Sequence, residues 1–271
     1  MKKILLGFVC IAGLLSGCTK NEEIKIDETK SGLVKIKFDH IVGSKKLVLN
    51  NYMYSNASNE TFNITSLKYY VSNIKFTKVN GEVITIPKKE SFFLIDASDA
   101  NSQKPILTIP QGEYKTLEFN LGVDSLTNTL PAEERTGVLD VGKYGMYWSW
   151  NSGYIHFQLE GNSAQAANPN NSFKYHIGLF GGYSTPTVNN NRIIKLDLTK
   201  AGKSQVQENL SSDIHLMVDI GKIFDGPNTI SIKTNPIVMT SGPHAKIADN
   251  YATMFTHDHT HNFTKIANHE K

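Results

Sequence analysis

Val34-Lys35-Ile36-Lys37-Phe38 alternates apolar and cationic side chains at every step. A period of two marks a strand with one buried and one wet face, because successive side chains of an extended chain point to opposite sides. Similar runs recur at 69–76, 83–86, 92–95, 117–121, 155–159, 193–198, 215–220 and 230–232. Turn signals stand between them: Asn80-Gly81, Pro110-Gln111-Gly112, Ser152-Gly153, Gly181-Gly182 and Gly226-Pro227. Asn80-Gly81, between Phe76 and Val83, predicts a hairpin. No long segment shows a helical period before 245–255, where a short helix is expected. The expected fold is all-β: an antiparallel β-sandwich in a single domain, 33–271, with a short C-terminal helix or tail. The Asn-rich stretches at 162–172 and 188–191 read as exposed loops.

The N-terminus points to export. Lys2 and Lys3 precede an apolar run of about twelve residues, long enough for a signal peptide and too short to span a bilayer. The run ends in Leu15-Ser16-Gly17-Cys18, which looks like a lipobox. Residues 1–17 are therefore expected to be a lipoprotein signal peptide, Cys18 the lipidated first residue, and 18–32 a flexible tether. The chain has two cysteines. Cys10 leaves with the signal and Cys18 takes the lipid, so an exported domain is left without a disulfide. Thr19 stands where an aspartate would resemble an inner-membrane retention signal, and Lys20-Asn21-Glu22-Glu23 faintly resembles a surface-export signal. The expected location is the cell envelope, at the outer membrane on its periplasmic face or at the cell surface, held by acyl chains. The net charge of +3 falls by two when Lys2 and Lys3 are lost, to +1, which gives no electrostatic case for nucleic acid.

Three places have the residue types for chemistry. Met146-Tyr147-Trp148-Ser149-Trp150 puts a thioether and both tryptophans of the chain on one side of a strand. A buried sandwich core would present the same stripe. A two-residue turn at Ser152-Gly153 would set Trp148 near Phe157 and His156 on the face away from the indoles. His40 and His176 each stand at or near a strand end among aromatic residues, and imidazoles from separate strands are the usual route to a transition-metal site without cysteine. A hydrogen-bonded structural role is the alternative for each. Finally, His257-Asp258-His259-Thr260-His261 repeats histidine at every second position, with His244 and His269 on either side. On an extended segment these histidines would share a side and chelate Cu2+, Zn2+ or Ni2+; as a solvated tail they would bind metal only incidentally.

The chain resembles the MbnP-like copper-binding proteins, a family named for the methanobactin-associated periplasmic protein. The resemblance is carried, in order, by Tyr69-Tyr70-Val71-Ser72-Asn73-Ile74, Leu121-Gly122-Val123-Asp124-Ser125 and Gly145-Met146-Tyr147-Trp148-Ser149-Trp150-Asn151-Ser152-Gly153-Tyr154. Leu159-Glu160-Gly161, Tyr175-His176-Ile177-Gly178 and Ile247-Ala248-Asp249-Asn250-Tyr251 follow. The resemblance implies a β-sandwich that binds copper through histidines and, in some relatives, through a tryptophan oxidised to kynurenine by a di-haem partner related to cytochrome c peroxidases. Carried over, it makes His40 and His176 candidate ligands and Trp148, or alternatively Trp150, the candidate for oxidation.

Imidazole suits copper in either oxidation state, Cu+ or Cu2+, and a thioether such as Met146 would favour Cu+. No nucleophile motif, phosphate loop or paired carboxylates at a telling spacing point to turnover, so a binding protein and not an enzyme is expected. Two functions follow: a copper-binding lipoprotein for metal capture, storage or delivery, or an adhesion or glycan-binding lipoprotein whose tryptophans form a stacking platform.

Overall fold

In the computed structural model, which describes Asp27 and residues 29–266, Val34, Ile36 and Phe38 are buried on a strand whose Lys35 and Lys37 face outward. The readings at 1–18, most of the tether and His269 lie outside the described residues. That strand is β1 (Ser31–Val42). The other strands of five or more residues are β2 (Thr61–Lys78), β3 (Phe92–Asp96), β4 (Ile106–Pro110), β5 (Gly112–Leu121), β6 (Phe157–Asn162), β7 (Ser172–Ile177), β8 (Arg192–Asp197), β9 (Leu210–Asp219) and β10 (Phe255–Lys265). One sheet runs β10-β9-β1, with β4 along the first half of β1. The other runs β8-β5-β2-β6-β7, with β3 also on β2. Aromatic residues from the inner faces fill the space between them. The Phe38 ring meets Tyr69 and Phe119 edge-on, each at 6.1 Å, and Phe255 at 6.3 Å.

An all-β single domain is what the alternation predicts. The pairing is mixed, however, and not purely antiparallel. β1 and β9 run parallel, with Lys37 opposite His215 and Phe38 opposite Leu216, and β7 runs parallel to the short strand Ile237–Val238. A parallel pair needs a long crossover. Here all the long strands of the second sheet lie between β1 and β9 in the chain, so no local sequence signal could have shown the direction.

Three local readings change. Residues 230–232 form no strand; they are an irregular segment with Ile230 and Ile232 buried. The buried Glu60 holds it, accepting from the Ile232 and Lys233 N–H groups at 2.8 and 2.9 Å and from the Ser231 hydroxyl at 2.7 Å. Trp148 pairs with Gly153, not near Phe157, so the reversal spans 149–152. The histidine-rich end is no loose tail: after the helix His244–Tyr251 it becomes the eleven-residue strand β10 against β9.

Two buried histidines tie stability to pH. Burial pushes His40 down to about 4, with Gln103 and Asp39 opposing it only in part, and burial does the same to His156. The unfolded chain titrates near 6.5 at both, so below that pH it takes up protons that the fold refuses. Stability should therefore fall by about 2 kcal/mol per histidine between pH 7 and 5, read from denaturant midpoints; equal midpoints would contradict this. Phe38→Ala should cost about 3–5 kcal/mol by the same assay, because the cavity falls where both sheets and β10 meet.

Candidate metal centre

The strand β9 carries Ile214, Leu216 and Val218 inward and Asp213, His215 and Met217 outward. Its partner β10 keeps antiparallel register at Leu216↔His257, then slips, so that His215 faces His259 and Asp213 faces His261. Between those two registers Asp258 is an extra residue, a β-bulge. The bulge changes the parity of β10. Phe255 and His257 before it are buried, whereas His259 and His261 after it stand on the outer face with His215.

Three imidazoles gather there. One ring nitrogen from each of His215, His259 and His261 lies within 4.8 Å of the other two, the one such group of metal-binding side chains among the described residues. The rings of His215 and His259 stack at 4.3 Å, and that of His261 stands edge-on to both, at 5.2 and 4.6 Å. The His259 and His261 Nε2 atoms are 3.1 Å apart. Two nitrogens bound to one ion at about 2.0–2.1 Å and separated by that chord subtend about 100°, between square-planar and tetrahedral angles. The pair is thus spaced as ligands of a single ion, and a His215 ring nitrogen lies within 4.8 Å of both.

Carboxylates orient two of the rings. Asp258 Oδ2 lies 2.8 Å from His259 Nδ1, and Asp39 Oδ2 lies 3.4 Å from His215 Nδ1. The hydrogen bond to Asp258 holds the proton of His259 at Nδ1 and leaves its Nε2 as a lone pair for metal, while Asp39 acts on the His215 ring through its charge. With the His259 Nε2 unprotonated, the proton in the 3.1 Å contact belongs to His261, and a metal ion would displace it. Burial lowers the His215 pKa, with His259 and Lys37 adding to that effect and Asp39 opposing it, so this ring is a neutral donor at pH 7. Lys37 shares the Asp39 carboxylate, bonding its other oxygen at 2.9 Å.

The residues expected to form a site fall elsewhere. His40 points into the core in phase with Phe38, its Nε2 2.9 Å from the Tyr69 hydroxyl. His176 is out of phase with the buried Tyr175 and Ile177, faces outward, and places Nε2 2.7 Å from Glu160 Oε1. Strand parity therefore sets the two on different faces, and the structure does not bring them together. His257 does not share a side with His259 and His261: it stays inward in phase with Phe255 while the bulge turns the other two outward, and its Nε2 is 2.8 Å from the Thr260 hydroxyl. His156 is fully buried, its Nδ1 accepting from the Val123 N–H at 3.1 Å.

The indoles stack on each other at 5.5 Å and 18°, so they do share a side. Trp148 is buried in a small second core with Met146, Tyr70 and Tyr154, whereas Trp150 is 57% exposed. Gly178 makes room for Trp148: a Cβ there would lie 2.8 Å from the indole. Among the described ring contacts, none joins either indole to a histidine. Sequence reasoning missed His215 and Asp39. Both alternate out of phase with buried neighbours, which marks them as outward-facing but does not say what they face.

No helix of the described residues is long and apolar enough to cross a membrane. No curated protein matches the chain. A solved structure, MbnP from Methylosinus trichosporium, matches with a TM-score of 0.53 at 16% identity, over 74% of this chain and 80% of that one, a likeness of fold. The family model MbnP matches residues 31–240. That span includes His40, His176 and both tryptophans and stops before His259 and His261. With most of its length matched, the chain belongs to the MbnP family.

Proposed function

We propose that this protein is a copper-binding lipoprotein of the cell envelope, anchored through Cys18 at the outer membrane, and that its copper sits at His215, His259 and His261. The observation that carries the reading is the 3.1 Å approach of two imidazole nitrogens beside a third, with carboxylates behind two of the rings. Imidazole sites bind Cu2+ more tightly than the other common divalent first-row ions, and the family resemblance points the same way. The three side chains are part-exposed or exposed, so metal can enter and leave without opening the fold. This suits capture and delivery, and the protein acts by binding, without turnover. Oxidation of Trp148 to kynurenine by a di-haem partner is a separate part of the proposal; Trp150, the exposed member of the pair, is the alternative.

Copper titration tests the site directly. His259→Ala should lower Cu2+ affinity by roughly a hundredfold, and Asp39→Asn, which spares the ligands, by about tenfold. His40→Ala and His176→Ala, at the positions the resemblance proposed, should leave affinity unchanged. Loss of binding in His176→Ala with retention in His259→Ala would move copper away from the triad. Peptide mass spectrometry of protein from its native host should find kynurenine at Trp148 and acyl chains on Cys18; unmodified residues would remove those two parts. The exposed face of Trp150 also supports a glycan-stacking reading, for which Trp150→Ala should abolish binding to oligosaccharides and leave copper binding intact.

A further inference from the structure

We propose that Met217 is a thioether ligand of this same centre, engaged by Cu+ and not by Cu2+; the inference rests on the triad being the copper site. Met217 is the next outward residue after His215 on β9, between the inward Leu216 and Val218. Side chains two apart on a strand stand on the same face about 6.6 Å apart, within the reach of an unbranched side chain with three rotatable bonds. Across the sheet Met217 lies opposite Asp39 on one side and Thr256 on the other. Asp39 is the residue whose carboxylate touches the His215 ring, so the thioether belongs to the row adjoining the imidazoles.

The composition of that face gives the position its meaning. Around the triad it includes Lys35, Lys37, Asp39, Asp213, Thr256 and Asp258, whose side chains are partly or freely solvated. Met217 is only part-buried, so the core does not require an apolar side chain there. Of the other described methionines, Met146 and Met254 are buried in the two cores, Met239 packs part-buried against the second core, and Met53 is 56% exposed. Met217 thus places a soft sulfur beside three nitrogens. Cu2+ is satisfied by imidazoles and water, whereas Cu+ gains from a thioether. A site able to add sulfur for Cu+ retains copper in both oxidation states.

The test compares full-length wild-type protein, Met217→Leu and His259→Ala, using Cu+ competition with a chromogenic chelator under anaerobic conditions and Cu2+ titration in air. Leucine keeps the volume and apolarity, and a thermal melt checks that the variant is folded. Met217→Leu should lower Cu+ affinity about tenfold and leave Cu2+ affinity within about twofold, and X-ray absorption of the Cu+ form should lose a sulfur neighbour. With copper bound by wild type and weakened by His259→Ala, unchanged Cu+ affinity in Met217→Leu, or equal loss for both ions, would overturn the role of Met217 alone. If wild type binds neither ion, or His259→Ala retains both, the triad itself falls and Met217 with it.

Discussion

Alternation along a strand is a rigid constraint, and the arrangement of the β10 histidines depends on its being broken opposite His215. Were Asp258 a regular member of the ladder and not a bulge, a strand that buries Phe255 would go on burying every second residue, and His257, His259 and His261 would all point inward. The bulge opposite His215 lets one strand serve two faces. Its first part closes the aromatic core, where Phe255 lies 5.2 Å from Phe119 and 6.0 Å from Tyr69. Its second part delivers imidazoles to the surface. The inserted residue also contributes its own carboxylate, which orients the ring of the residue that follows it.

The rest of the centre comes from long-range pairing. Asp39, His215 and the 258–261 segment are far apart in the chain and meet because β9 lies between β1 and β10. Since β1 and β9 are parallel, Asp39 sits one outward row beyond Lys37 and His215, and its two oxygens reach Lys37 on one side and the His215 ring on the other. Three elements thus fix ring orientation with backbone hydrogen bonds, a stiffer support than a loop would give. Asp258 does chemical as well as geometric work, since its bond to His259 Nδ1 decides which nitrogen of that ring is available to a metal.

The tryptophans form a second, separate feature. Trp148 closes a small core distinct from the main one and supports Trp150 at the surface. Asn151 fixes the adjoining loop, its side-chain Oδ1 accepting from the Tyr183 and Ser184 N–H groups at 2.7 Å each. The span matched by the family covers this feature and His215 but leaves out β10 with His259 and His261.

Much of this was legible in the residues. The alternation at 34–38, the Asn80-Gly81 reversal with its hairpin and the helix before β10 are local consequences of side-chain period and turn chemistry, which depend on near neighbours only. Parity alone would have placed His40 inside, in step with Phe38, and His176 outside, out of step with Tyr175 and Ile177; their aromatic surroundings obscured it. The cluster at 257–261 was visible as a possible chelator, but not which of its histidines would serve. Tertiary structure decided that, along with the parallel course of β1 and β9 and the company of His215. A bulge exists only relative to the strand it opposes, and a ligand set only where separate strands are brought into register by a core that closes at long range.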